Sequence, residues 1–386
     1  MAKYGTINLG SYDDFFLSSD AKYLQKYINT EGLINVNYKF AYENFSIDPD
    51  VLATDADGVT AFKVSNKIQE ADGMADFKAP MAKNTGIDQN GSAGYTGSIG
   101  NIGKGLNPVT ITDREKKAKI MEQFGNESPL VLDYVENVQT LTNYLDSRLS
   151  WMSGKMLTLG QILSEDGFYA IDARIPAANK VKAGAKAWTD EDADILAYMN
   201  EIETKYRERT NDLQPMKWQI PLYMWRNTFL TNKGIKAKIN ELRTARELPT
   251  ASGGMVIEEW VLNYIQELGL TSPIEIVKEG EVKVGLDTRT DVKGWDNKYA
   301  VLRPVGYAGR ILHGEILKAK VFGSYASKTV QRQIAYMNGG VYALINSVFE
   351  DANGMPVFKT DMEAACAPVL TEVPSHVVVD TSEANG

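Results

Sequence analysis

Apolar residues recur at spacings of three and four through Tyr134, Val138, Leu141, Leu145, Leu149, Met152, Met156 and Leu159. That is one stripe of an amphipathic helix, and it extends the prediction to about Leu163. Ser128 followed by Pro129 supplies an N-cap and a first-turn proline, which sets the start. A helix of about thirty-four residues spans roughly 50 Å. Asp146, Arg148 and Lys155 are read as its polar side, and Gly154 and Gly160 near its end permit close backbone packing. A helix this long with one apolar stripe is a spine against which a sheet lies.

The stretch ahead of it, from about Asp55 to Thr112, has a different pattern. Val59 to Ile68 alternates as a strand does, NPVTITD forms a second strand candidate, and a glycine-dense run separates them. Strand, glycine-rich excursion and strand together predict an extended two-stranded loop. Loops without a core of their own are usually functional or disordered. Its Gly86, Gly91, Gly94, Tyr95, Gly97, Gly100, Gly103, Lys104 and Gly105 are therefore the candidate interaction residues. Phosphate cradling fails on spacing. With Gly103 and Lys104 in place, a P-loop needs glycine where Ser98 stands and a hydroxyl where Gly105 stands. A dinucleotide fingerprint fails too, for want of a strand, turn and helix around these glycines.

Residues 1–54 are polar and aromatic with weak periodicity and read as an arm, with a short helix near Tyr23 to Ile28. Beyond the spine, GFYAIDARIP reads as a strand and KVKAGAKAWTD as a hairpin return. Thr189 or Asp190, with Asp192, opens a helix through Ile195, Leu196, Met199, Ile202 and Tyr206; acids in a first turn suit the helix dipole. PMKWQIPLYMWRNTFL is a strand entering a helix, Thr231 to Arg246 a basic helix, and Met255 to Leu270 a helix stopped at Gly269. PIEIVKEGEVKVGL predicts a pair of short strands, KYAVLRPVG another, and the C-terminal segment alternates strands and turns before a short polar tail. The fold class is α+β, with strands and helices mixed rather than in regular βαβ order.

Composition then narrows the chemistry. A net charge of −9 argues against wrapping nucleic acid by neutralising phosphates, although a shell enclosing DNA tolerates it. The single cysteine, Cys366, allows no intrachain disulfide and fits a reducing cytoplasm. The start, MAKYGTINLGSYDDFF, does not read as a signal peptide, and no apolar run reaches membrane-spanning length. Only His313 and His376 are available as imidazoles, and both lie in apolar strand-like contexts that suit packing. Catalytic, cofactor and metal residues are accordingly expected to be none. The acidic run Asp190, Glu191, Asp192 and Asp194 suggests a carboxylate-based metal hydrolase as a rival, but it lacks the glycine and distal glutamate of a calcium loop. The 19 tyrosines and 6 tryptophans are spread along the chain, which favours core and interface use over a peptide- or glycan-binding site.

The order of these parts resembles the Hong Kong 97-type capsid fold of tailed bacteriophages. The run YLDSRLSWMSGKMLTLGQILSEDGFYAIDARIP, then KAWTDEDADIL with Trp188, then PLYMWRNTFLTNKGIKAKI, is similar to the lambda-type major capsid proteins. APVLTEVPSHVVV, from Ala367, is similar to that family's closing strand. The likeness covers about residues 35 to 380 and is weakest from about Glu247 to Val305. It implies an arm (1–54), an extended loop (55–112), a peripheral domain with the spine at about 128–163 (113–187), an axial domain (188–340) and returning C-terminal strands with a polar tail (341–386). It implies a subunit that assembles with copies of itself into hexamers and pentamers around double-stranded DNA, built in the host cytoplasm and carried in the virion. Portal and scaffolding proteins, and a decoration protein, are the implied further partners; no membrane and no cofactor is. The member that gives the fold its name crosslinks loop lysines to asparagines, and Lys104 and Asn101 lie in that region, but lambda-type relatives lack that chemistry. An encapsulin-like compartment shell is the alternative within the same fold.

Overall fold

A computed structural model describes residues 39–110 apart from 56, 58 and 66–93, and residues 129–384 apart from 165–166, 211–213, 251–256, 279–282, 285–291, 320–330, 338–339 and 351–355. Gly86 and Gly91, the predicted helix near Tyr23 and the cap residue Ser128 lie outside the described residues.

The chain enters through a short helix, α1 (Phe40–Asn44), that runs straight into β1 (Phe45–Leu52). Both are part of the main core: Phe40 and Phe45 are fully buried, and the Phe40 ring meets Trp295 edge-on at 6.1 Å. The aromatics of this part of the arm find their partners in the same chain's core. The alternation was weak because β1 is irregular, with a register shift between Ile47 and Val51 around Pro49, a residue that cannot donate to a ladder.

The spine is α2 (Pro129–Leu159). It begins at the predicted proline but ends four residues short of Leu163. Gly160 adopts φ +70°, a left-handed stop, and the chain turns into β6 (Gln161–Leu163). Val138, Leu141, Leu145, Leu149, Met152 and Met156 are buried as the spacing requires, each contributing on the order of 2 kcal/mol of apolar burial. Thr142, Asp146, Ser150, Ser153 and Thr158 are buried as well, so the enclosed arc is much wider than one stripe. The hydroxyls of Thr142, Ser153 and Thr158 donate to carbonyls four residues earlier, at 2.9, 2.9 and 2.8 Å, so they need no outside partner.

Three sheets wrap this helix. One is β2 (Thr60–Ser65), β3 (Gly94–Ile99), β7 (Ala170–Asp172) and β6, in that order. A second places β14 (Gly309–Gly314) between β1, which is parallel to it, and β18 (Cys366–Leu370), which is antiparallel. The third orders β15 (Gln331–Met337), β16 (Tyr342–Glu350), β17 (Pro356–Ala364) and β4 (Ile102–Gly105), with β5 (Val109–Thr110) also pairing β17.

A second core packs on a five-stranded sheet ordered β10 (Ile274–Val277), β9 (Met216–Pro221), β13 (Tyr299–Pro304), β19 (Val377–Asp380) and β8 (Lys180–Lys182), which turns Val277, Val301 and Val378 to the spine core. Its interior holds Trp188, Trp218, Trp225 and Phe229. Trp225 and Phe229 stack at 5.1 Å, and Trp188 meets Phe229 edge-on at 5.9 Å. The helices of this region are α3 (Ile195–Thr210), α4 (Leu222–Met224, continued by a π-turn at Trp225–Phe229), α5 (Lys233–Ala245) and α6 (Glu258–Leu268). Asn232 caps α5 by accepting from the Ile235 N–H, and Gly269 ends α6 at φ +56°. One strand reading is corrected. β8 is no hairpin return but lies parallel to β19, nearly two hundred residues on, a pairing that leaves no local signal. The pair of short strands read in PIEIVKEGEVKVGL is present as β10, which pairs with β9, and β11 (Lys283–Val284), which pairs with β12 (Val292–Lys293).

Candidate functional site

The glycine-rich candidates are not one free loop. Gly94, Tyr95 and Gly97 lie in β3, Gly103, Lys104 and Gly105 in β4, and Gly100 in the two-residue crossing between two sheets. Tyr95 is buried, its ring 6.2 Å from Phe62, and its hydroxyl donates to the Leu370 carbonyl at 2.8 Å; burial raises its pKa above the usual phenol value. The expectation that this part lacks a core of its own is therefore corrected for 94–105.

None of the candidate glycines in these strands has a positive φ, so their role is close approach. A Cβ at Gly97 would lie 2.7 Å from the Phe62 ring and 2.9 Å from the Ala170 carbonyl oxygen. At Gly105 it would fall 2.1 Å from Asp361 Oδ1. Asp361 and Glu363 lean across β4 to reach Lys318, which pairs with them at 3.1 and 2.6 Å, and bare backbone at Gly103 and Gly105 leaves them room. The Lys104 ammonium stands 4.9 Å over the Tyr144 ring of α2. The segment thus ties two sheets to the spine.

Buried polar groups join distant parts of the chain, and most were not legible in the sequence. Asp146, read as marking the outer side of the spine, is fully buried and accepts from the Tyr42 and Tyr342 hydroxyls at 2.8 and 2.5 Å. Burial holds both phenols well above their usual pKa and pushes the nearby Cys366 thiol up to about 12. Asp146 follows Thr142 and precedes Ser150 at helical spacing, the only sequence hint that it faces inward. Arg303 on β13 is likewise buried. Its Nε donates to Gln219 at 2.9 Å, Nη2 to Asn44, and Nη1 to the Pro304 and Gly306 carbonyls at 3.0 and 2.7 Å. Burial lowers its pKa to about 10, so it remains cationic at neutral pH. Arg303 links α1, part of the spine core, to the five-stranded sheet.

Both histidines are buried. His376 Nε2 faces the Leu157 carbonyl at 2.6 Å and His313 Nε2 the Asp48 carbonyl at 2.9 Å. A carbonyl only accepts, so each ring nitrogen is the donor. His376 stands just before β19 and reaches the last turn of α2, again joining the two cores; burial lowers its pKa to about 4.

The acidic run proves to be a balanced turn ahead of α3. The helix starts at Ile195 rather than at Thr189 or Asp190, and the Asp194 carboxylate accepts from the Ala197 N–H. Asp190 accepts from the Asp192 N–H and pairs with Lys186, which together hold its pKa below the usual carboxylate value; Glu191 and Asp192 pair with Lys233. Among the described residues no group of three or more His, Cys, Asp or Glu side chains could hold a metal ion, and no helix is long and apolar enough to cross a membrane.

No family model and no curated protein matches this chain. Solved structures similar to it include a protein assigned as the capsid protein of a prophage of E. coli CFT073, 16% identical with a TM-score of 0.48, covering 93% of this chain and 98% of that one. A phage-related protein from Bordetella bronchiseptica RB50 is 10% identical with a TM-score of 0.45, covering 94% and 96%. The capsid of cyanophage P-SCSP1u is 10% identical with a TM-score of 0.41, covering 100% of each chain.

Proposed function

We propose that this chain is the major capsid protein of a tailed bacteriophage, a structural subunit with the Hong Kong 97-type fold that assembles with copies of itself into a head shell around double-stranded DNA. The observation that carries the reading is the arrangement of parts. A strand-borne glycine-rich segment is clamped onto one long helix, and a second core around a five-stranded sheet is joined to the first by buried polar links. A shell tile has to transmit load between neighbours, and a frame joined through Arg303 and His376 suits that task. The buried side chains with chemical potential are committed to that frame: Asp146 to two tyrosines, Glu203 to Trp218 and Ser272, and the histidines to backbone carbonyls. Within this reading, residues 113–187 belong to a peripheral domain and 188–340 to an axial one. Portal and scaffolding proteins, and a decoration protein, are its further partners, and assembly takes place in the host cytoplasm.

Expression of the full chain, alone and with its scaffold, followed by electron microscopy tests the reading. Closed shells are expected. Small monodisperse species under every assembly condition would overturn it. Shells that enclose a protein cargo and no DNA would instead establish the encapsulin-like alternative.

A further inference from the structure

On α2 the side left outside the core carries Thr140, Tyr144, Arg148, Trp151 and Lys155, at spacings of four, four, three and four. The Arg148 guanidinium lies 4.4 Å and the Lys155 ammonium 5.9 Å from the Trp151 ring centre, and Lys104 reaches Tyr144 from β4. The contacts with Trp151 hold Arg148 and Lys155 in place without neutralising them. Neither Arg148 nor Lys155 pairs with a carboxylate among the described residues. Some outward cations of other helices do, as Lys205 with Glu201 and Lys238 with Glu241, whereas Arg243 rests on the Trp260 ring as these two do on Trp151. The only acid between residues 137 and 163 is Asp146, and it faces inward. In a chain of net charge −9, the charged side chains left outside the core over residues 137–159 of the spine, Arg148 and Lys155, are thus both positive.

We infer that this stripe is a contact for the phosphate backbone of duplex DNA. The inference rests on the capsid reading, which supplies the DNA. Arg148 and Lys155 are seven residues apart, about 10 Å along the helix. The aromatic rings already carry cations on their faces, so a partner meets fixed charge more than apolar area. That suits a polyanion held without sequence register better than a protein surface needing shape fit. Each cation that replaces a condensed counterion adds about 0.9 to the slope of log affinity against log salt. One subunit binds weakly on these terms, and an array of subunits sums many such contacts while leaving the DNA free to move.

Binding of the full chain to a short labelled duplex, followed by fluorescence anisotropy at low salt, tests the stripe directly. Arg148→Gln with Lys155→Gln is expected to weaken binding at least tenfold and to flatten the salt slope by about two, while Arg148→Lys with Lys155→Arg keeps both. Equal binding by the Gln variant and the unchanged protein, or no binding by either, overturns the inference. In assembled particles, acetylation of Lys155 read by mass spectrometry should be several-fold slower in DNA-filled than in emptied shells, with the difference lost at high salt. Equal rates in both also overturn it, and rates equally slow in both assign the stripe to a neighbouring copy. If no shells form, the capsid reading fails separately, and the duplex measurement still decides the stripe.

Discussion

At Gly154 the spine α2 meets neighbouring backbone directly, whereas beside β9 the space is filled by indole and phenyl rings. Serine, threonine and glycine lie between the buried leucines and methionines of α2, and Gly154 faces the Gly294 backbone. In the second core Trp218 on β9 packs with Trp188, Trp225 and Phe229 from the neighbouring turns and helix. A position packed against backbone has little room to take added volume. A site filled by a large aromatic has much to lose when it is removed. The two sites should therefore fail in opposite directions.

The largest effect is expected from deleting an aromatic in the second core. Trp218 is fully buried, and its indole N–H donates to the buried Glu203 carboxylate at 2.7 Å. Trp218→Ala opens a cavity and removes one of that carboxylate's donors, at a cost of about 3–5 kcal/mol. Trp218→Phe restores much of the volume but not the donor, and should recover part of the loss. Denaturant unfolding of both variants measures the split. If Trp218→Ala costs no more than 1 kcal/mol, the aromatic cluster is not what holds this half together.

The link between the halves should reveal itself through pH. Burial lowers the His376 pKa to about 4 in the folded protein, against roughly 6.5 in an unfolded chain. Between those values the unfolded state binds more protons, so stability rises with pH across the window. The contribution is fully present above about pH 6.5 and is lost as pH falls towards 4, on the order of 3 kcal/mol in all. Thermal unfolding between pH 4 and 7 should show this slope, and His376→Gln should flatten it in that window. An unchanged slope in the variant would assign the dependence to other groups.

The helices were readable because each has one face that repeats at 3.6 residues, a signal contained in the segment itself. Asp146 was misplaced because an acid on an amphipathic helix is assigned outward by default. What turns it inward is Tyr42 and Tyr342, 104 and 196 positions away. The glycines at 97 and 105 were read as part of an extended loop because composition shows glycine but not what approaches it; Phe62 and Asp361 approach them, and only tertiary pairing brings them there. The parallel pairing of β8 with β19 and of β1 with β14 was invisible for the same reason. What the sequence did not show was that residues 94–105 pack within the chain's own sheets.

The smallest effect separates close packing from local preference most sharply, because it reverses a sign. Glycine inside a helix costs about 1 kcal/mol relative to alanine, so Gly154→Ala in α2 should stabilise if local preference decides. A Cβ there would lie 2.8 Å from the Gly294 carbonyl carbon and 3.1 Å from the Trp295 nitrogen, both backbone atoms with little freedom to yield. Overpacking of this kind costs roughly 1–3 kcal/mol, which offsets the propensity gain and leaves a net loss of about 1 kcal/mol. Gly234→Ala in the first turn of α5 is the control. Its Cβ would meet only the Asn232 side-chain oxygen, at 3.3 Å, so the same substitution should range from neutral to a gain of about 1 kcal/mol. Equilibrium unfolding of the pair under one set of conditions compares them. Opposite signs would show that close backbone contact sets the limit at Gly154 and that local helix preference decides at the exposed Gly234, while a stabilised Gly154→Ala would mean that the Gly294–Trp295 segment can move away from α2.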